Sequence, residues 1–194
     1  MTYQLDKGAR ADLSKNGLTN FYVGLSWDAA AGGASMDLDA SAFILNANDT
    51  LVARDGFVYY QNLKGTNGSV IHTGDNLTGA GDGDDEVMIV DLSKLPADAE
   101  KVAIVVSIYE GIKKNQNFGQ VKKSKIRICE LAADGVSPGT EVFFADLEED
   151  YSAYTILQFG EIYKKNGEWK FVFAGNGYKA DLGDVVNQYA AGVV

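Results

Sequence analysis

Five acidic side chains fall within the twelve residues Asp75–Glu86, in the string GDNLTGAGDGDDE, and no Lys or Arg occurs from Gly65 to Ser93. Asp82, Asp84, Asp85 and Glu86 are near neighbours, so their carboxylates repel at neutral pH unless a cation lies among them. Glycines at 74, 79, 81 and 83 let the backbone curl and turn carbonyl oxygens inward. Carboxylates and carbonyls together form a hard-oxygen donor set, which suits Ca²⁺ better than Zn²⁺ or copper. A second acidic segment, Asp37-Leu38-Asp39, follows the glycine-rich turn Ala29 to Ala34. In extended chain its two carboxylates share one face, about 6.6 Å apart. They can complete a metal site from the other side, or be two solvated turn carboxylates.

The spacing is not that of the common calcium loops. Asp75 and Glu86 stand at the first and twelfth positions of an EF-hand loop, but Leu77, Gly79 and Ala80 occupy the third, fifth and sixth, where ligands and the turn glycine belong. The flanks also read as strands. Residues Ala80 to Val87 come close to the calcium β-helix nonapeptide, yet that architecture needs stacked copies and only one is present.

Other reactive side chains give weaker signals. His72 precedes the acidic loop; a single His is a poor zinc site, and hydrogen bonding to the loop backbone is its simpler use. Cys129 lies beside Ile128 in an alternating segment and reads as buried filler rather than a reactive thiol. Trp27, Tyr59, Tyr60, Trp169 and Tyr178 could form a ligand surface, though strand aromatics more often pack in the core. Lys113-Lys114 and Lys122-Lys123-Lys125 read as solvated edges that protect an edge strand. A metal-dependent hydrolase using the acidic loop is the alternative to pure cation binding. Against it, neither a GxSxG nucleophile motif nor a Walker loop occurs.

Period-two patterns dominate the elements that must position these residues. Phe21, Val23, Leu25 and Trp27 alternate with Tyr22, Gly24 and Ser26, predicting a half-buried strand. Further strands are predicted over Leu38–Leu45, Phe57–Tyr60, Ser69–Thr73, Val87–Leu92, Lys125–Leu131, Glu141–Leu147, Tyr154–Tyr163 and Glu168–Phe173. Lys101–Tyr109 is almost continuously apolar, as for a central strand covered on both faces. Lys64–Gly68 and Lys164–Gly167 are turns. Leu182, Val185, Val186 and Tyr189 follow helical spacing, with Asp181 as N-cap, Asp184 in the first turn and Gly192 at the end. A helical turn is expected at Ser93–Ala97. The fold class is all-β: a β-sandwich of two mostly antiparallel sheets with a short C-terminal helix.

The 194 residues, 46% hydrophobic and 23% charged, form a globular composition long enough for one domain over 1–194. Seventeen basic against twenty-seven acidic residues give a net charge of -10. That disfavours nucleic acid and anionic membrane surfaces and favours cations. One cysteine permits no internal disulfide, no N-terminal basic-then-apolar pattern marks a signal peptide, and no apolar run approaches membrane-spanning length. A cytoplasmic protein without direct membrane insertion is expected.

GDNLTGAGDGDDE, with LDASAF before it and VMIVDL after it, resembles the TerD family of tellurium-resistance and stress-response proteins. The resemblance extends to NFYVGLSW and to GEIYKKNGEWKFVFAGNGY at 160–178, and so covers essentially the whole chain. It implies a bacterial cytoplasmic β-sandwich that binds Ca²⁺, taken as two ions. The implied ligands are Asp37, Asp39, Asp75, Asp82, Asp84, Asp85 and Glu86, with the carbonyls of Leu77 and Gly79 added. It further implies a non-enzymatic stress role with related family proteins and a membrane-associated resistance complex as partners. The chain departs from the family pattern at Ala80 and Asp82, where Glu is frequent; the missing acid at 80 weakens one site if that side chain reaches the metal.

Overall fold

The computed structural model describes residues 3–4, 7–13, 17–28, 36–79 and 83–190. The glycine-rich turn before Asp37, the side chains of Ala80 and Asp82, and Gly192 lie outside the described residues. Among the described residues, twelve strands form two six-stranded sheets. The first sheet contains β1 (Tyr3–Gln4), β3 (Asn20–Asp28), β6 (Val70–His72), β7 (Glu86–Asp91), β9 (Lys122–Leu131) and β10 (Pro138–Asp146), in the order β1-β10-β9-β3-β7-β6. The second contains β2 (Arg10–Asp12), β4 (Leu38–Leu45), β5 (Phe57–Val58), β8 (Lys101–Ile108), β11 (Ile156–Lys165) and β12 (Glu168–Tyr178), in the order β2-β12-β11-β8-β4-β5. All described pairings are antiparallel except β1 with β10.

Alternation decides which side chains enter the core between the sheets. Phe21, Val23, Leu25 and Trp27 of β3, Met88 and Val90 of β7, and Ile126 and Ile128 of β9 meet Leu38, Ala40, Ala42 and Ile44 of β4 and the even-numbered residues of β8. In β11 a bulge between Gln158 and Gly160 resets the alternation, so Leu157, Phe159 and Ile162 all face inward. The predicted double coverage of β8 is present. Ala103 and Val105 on its other face join Phe43, Leu45 and Ile156 beneath the helix α3 (Leu182–Tyr189). Asp181 caps α3, its backbone N–H donating to Asp184 at 3.0 Å.

Several expectations are corrected. The outer face of β3 is not solvated: Tyr22 is buried, for a reason given below. The strand after Gly56 stops at Val58, because Tyr59 turns back to exchange two hydrogen bonds with Asn62. The expected turn at Lys64–Gly68 is present, with Asn67 (φ 58°) and Gly68 (φ 67°) in the left-handed region, and it lies in a crossover, since β5 and β6 belong to opposite sheets. The lysines of β9 do not guard an edge, since β9 pairs on both sides. They reach Glu148, Asp28 and Glu141 instead. The expected turn after Asp91 is a 3-10 helix at Leu92–Lys94, and two one-turn helices, α1 (Gly111–Lys114) and α2 (Leu147–Asp150), were not expected.

Candidate metal centre

β4 and β7 lie in opposite sheets, and the acidic residues gather where the two approach. In β4 the even-numbered residues point their backbone groups toward β5, but β5 pairs only with Ala42 and Phe43. The Ala40 N–H is therefore left without a strand partner. It donates to Glu86 Oε2 at 2.7 Å, a charge-assisted bond that joins the sheets through the interior. Glu86 is fully buried at the start of β7. Its Oε2 also lies 3.4 Å from His72 Nε2. As expected, His72 serves the loop backbone: its Nδ1 accepts from Gly74 N–H at 3.2 Å. That assigns the imidazole proton to Nε2, facing Glu86.

Asp37, Asp39 and Asp75 bring one carboxylate oxygen each to within 4.8 Å of one another. Asp39 is buried, Asp37 half-buried and Asp75 exposed. The fixed point is the backbone: the Asp37 carbonyl accepts from Tyr109 N–H at 2.8 Å, and Asp39 pairs with Ser107 across the ladder with β8. Burial, then repulsion from Glu86 and its acidic neighbours, raises the Asp39 carboxyl to about 8. Burial, then Asp75 and Glu86, raises Asp37 to about 6. Burial also raises Glu86, against the hydrogen bonds from His72 and Ala40. Asp37 Oδ1 and Glu86 Oε1 are buried acceptors with no hydrogen-bond partner in the protein. Orphaned oxygens on two carboxylates, beside two more carboxylates, are a costly arrangement that a hard divalent cation would relieve.

The other loop acids are turned elsewhere. Asp84 reaches across the outer face of the first sheet to Arg127, its Oδ2 lying 2.6 Å from Nη2 and both its oxygens 3.0 Å from Nε. The Tyr22 hydroxyl donates to the same Oδ2 at 2.8 Å. Only a glycine beneath permits this, for a Cβ on Gly24 would lie 2.2 Å from Asp84 Oδ2. The pair covers Tyr22 and explains the burial of that face. Asp85 accepts from Trp27 N–H at 2.9 Å and from Asn76 Nδ2 at 3.0 Å, and burial raises its carboxyl. Asn76 Oδ1 in turn accepts from Thr78 and Gly79 N–H, both at 3.1 Å, closing the loop on itself. Gly79 (φ 63°) presses on Trp27, where a Cβ would lie 2.6 Å from the backbone oxygen. Leu77 is 58% exposed at the loop tip. Thus the described structure joins Asp37, Asp39 and Asp75, with Glu86 behind them, and directs Asp84 and Asp85 to other partners. Asp82 lies outside the described residues.

Sequence reasoning missed Arg127, Ala40 and Asn76. Arg127 sits in an alternating strand with nothing local to mark it, and a backbone N–H carries no residue signature. Asn76 could have been found, since Asn two or three residues before Thr and Gly is a turn signal. Cys129 is buried and burial pushes its thiol up, in keeping with a structural residue.

The profile of the TerD domain matches residues 1–189. The chain is 44% identical over 192 residues to a tellurium resistance protein TerD from Alcaligenes sp, covering 97% of each chain. It is 42% identical over 193 residues to general stress protein 16U from Bacillus subtilis (strain 168), again covering 97% of each. The crystal structure of a homologue of telluride resistance protein (TerD) from Streptomyces coelicolor A3(2) superposes with a TM-score of 0.73 at 22% identity, covering 90% of this chain and 99% of that one, a likeness of fold. By sequence along nearly its whole length and by fold, this chain belongs to the TerD family.

Proposed function

We propose that the chain is a calcium-binding, non-enzymatic stress-response protein of the tellurite-resistance type. The observation that supports this best is the cluster of Asp37, Asp39 and Asp75, with oxygens within 4.8 Å, backed by the orphaned Glu86 Oε1. An all-oxygen, carboxylate-rich site in a glycine-containing loop favours Ca²⁺ over Mg²⁺, which demands tight octahedral geometry and keeps its waters. Bound there, the ion supplies charge neutralisation and holds the Asp75–Glu86 loop against β4. By resemblance two ions share the ligand set, whose members outside this cluster are Asp82, Asp84, Asp85 and the carbonyls of Leu77 and Gly79. For that, Asp84 must share or leave Arg127, and Asp85 must share its oxygens with Trp27 and Asn76. The names of the relatives, tellurium resistance protein and general stress protein, support a role in stress resistance. Action in the cytoplasm with related family proteins and a membrane-associated complex completes the reading.

Calorimetric titration with Ca²⁺, alone and against a physiological excess of Mg²⁺, tests it and gives the stoichiometry. The expected result is Ca²⁺ binding that survives Mg²⁺ and is lost from the first site in Asp39→Asn. Equal or tighter Mg²⁺ binding, or unaltered Ca²⁺ binding by Asp39→Asn, overturns the assignment.

A further inference from the structure

On the outer face of the first sheet, Asp84 is one end of a chain of four charges that alternate in sign. Arg127 of β9 comes next, then Glu141 of β10, then Lys125 of β9. The strand register places Arg127 between its two acids. On one side it stands opposite Gly24, over which Asp84 lies. On the other side is β10, where Glu141 pairs with Cys129, two residues further along the same face of β9. Arg127 is held firmly by Asp84 and only loosely by Glu141, its Nη1 lying 3.4 Å from Glu141 Oε2. That oxygen also accepts from Lys125 Nζ at 2.8 Å. Lys125 has a second resting place, since its Nζ sits 4.4 Å from the centroid of the Phe144 ring.

Asp84 and the interior cluster are in opposite states. In the cluster, Asp37 Oδ1 and Glu86 Oε1 lack any partner. At Asp84 both oxygens are taken, Arg127 donating to each and Tyr22 to Oδ2, and the side chain is 3% exposed. Two acids and two bases also leave the four-charge chain neutral. A cation arriving at Asp84 therefore meets a guanidinium already in its place. Calcium binds a carboxylate oxygen at about 2.3–2.6 Å. At that distance it repels a guanidinium nitrogen 3.0 Å from the same oxygens, so one of the two must move. Arg127 has somewhere to go. Glu141 is within reach, and Lys125 is free to leave it for the Phe144 ring.

We propose that Arg127 is an internal competitor for calcium at Asp84, a two-position switch that rests on Asp84 in the absence of an ion there and on Glu141 in its presence. The inference rests on the calcium reading and adds an order to it. The cluster of Asp37, Asp39 and Asp75 fills first, because its oxygens are unpartnered. The Asp84 position fills second and more weakly, because the state able to bind is the one in which Arg127 has left, and its low population reduces the apparent affinity. The second event is thereby passed to β9 and β10, on the other side of the sheet from Glu86, as Lys125 gives up Glu141 to Arg127.

The test titrates Ca²⁺ calorimetrically into the full chain, as wild type, Arg127→Met and Glu141→Gln, while NMR follows the Arg127 Nε–Hε resonance. That resonance should move with the weaker calcium event and not with the tighter one. Arg127→Met removes the competitor, so the weaker event should tighten at least tenfold, or appear where wild type shows one event only. Glu141→Gln removes the second resting place and should weaken the same event severalfold. An ion pair that merely braces the loop predicts the opposite sign for Arg127→Met, since a loosened loop holds calcium less well. A cooperative melt checks the fold of each variant, and the wild-type resonance decides if Arg127→Met does not fold. A further arm needs no calcium. In chelator, Asp84→Asn should shift the Arg127 resonance, and adding Glu141→Gln should shift it again, because Arg127 then rests on Glu141. An Arg127 resonance indifferent to the weaker event, or an unchanged or weaker event in folded Arg127→Met, overturns the switch and leaves the first calcium site standing. Absence of all calcium binding overturns both readings, and Asp39→Asn, which alters the tighter event alone, tells the two failures apart.

Discussion

Raising the pH from 6 to 8 in chelator should destabilise this protein through Asp39. Burial and acidic neighbours raise its folded carboxyl to about 8, whereas an unfolded Asp ionises near 4. The native state therefore keeps a proton that the unfolded chain has lost. A raised folded pKa gives stability that is present at low pH and fades as pH climbs through the folded value. One retained proton corresponds to a slope of about -1.4 kcal/mol per pH unit, so the two units cost up to about 2.7 kcal/mol. For a chain of this size that is a fall in melting temperature of roughly 5–10 °C. The assay is thermal melting followed by circular dichroism at half-unit pH steps, on wild type and Asp39→Asn, each with chelator and with Ca²⁺. Asp39→Asn cannot titrate, so the difference between the two chelated proteins reports Asp39 together with its coupling to Asp37, Asp75 and Glu86. Bound Ca²⁺ takes the place of the proton, and the wild-type slope should then flatten. Ca²⁺ binding near pH 7 should also release a proton, making the calorimetric enthalpy depend on the buffer. A chelated wild type and Asp39→Asn with the same pH slope would refute the reasoning.

Other substitutions probe the supports around the cluster. Asp84→Asn leaves Arg127 without its buried partner and should lower stability in chelator by about 2–3 kcal/mol, the lower end for a buried pair because Arg127 is 25% exposed; an unchanged melting temperature would contradict this. Gly24→Ala should produce the same loss by expelling Asp84, and the double variant should be far less than additive, as a double-mutant cycle in urea can show. Gly79→Ala alters no charge, yet its Cβ meets Trp27 and its φ of 63° disfavours a side chain, so Ca²⁺ affinity should fall at least tenfold by calorimetry. Cys129, buried and with a raised pKa, should resist thiol reagents in the folded protein and react readily in denaturant; Cys129→Ser should leave tellurite resistance intact in cells at equal protein level.

Much of the fold was legible because both faces of the problem repeat in sequence. Period-two alternation located β3, β4, β7 and β9, and the continuous apolar run of β8 announced cover on both faces. What failed to announce itself was remote or very short. β1 is two residues long and pairs in parallel with β10, more than a hundred positions away, so no local pattern marks it. The acidic loop stood out through its composition, but composition does not say where carboxylates point. Asp37 and Asp39 meet Asp75 because β4 crosses the loop in space, while Asp84 leaves it for an arginine 43 residues on. Tyr59 and Tyr60 were visible as candidate ligand aromatics, but the ring that Tyr60 meets besides Tyr59 is Tyr109, just past β8, and not one of the tryptophans grouped with them in sequence.

The hydrogen bond from Ala40 to Glu86 has a mechanical consequence. A sandwich held only by its apolar interior can part like two sheets of wet glass, since sliding costs little until side chains unlock. Here the two layers are pinned at one side by a carboxylate reaching from β7 to a backbone amide of β4. An ion shared between Asp75 and the β4 aspartates would add a second pin beside the first, closing the chain between them into a ring. Unlike a disulfide, such a closure acts on the folded state alone, stabilising it by RT ln(1 + [L]/Kd). In a chain with a single cysteine, the staple would be ionic, and chelation or acid, rather than a reductant, would open it.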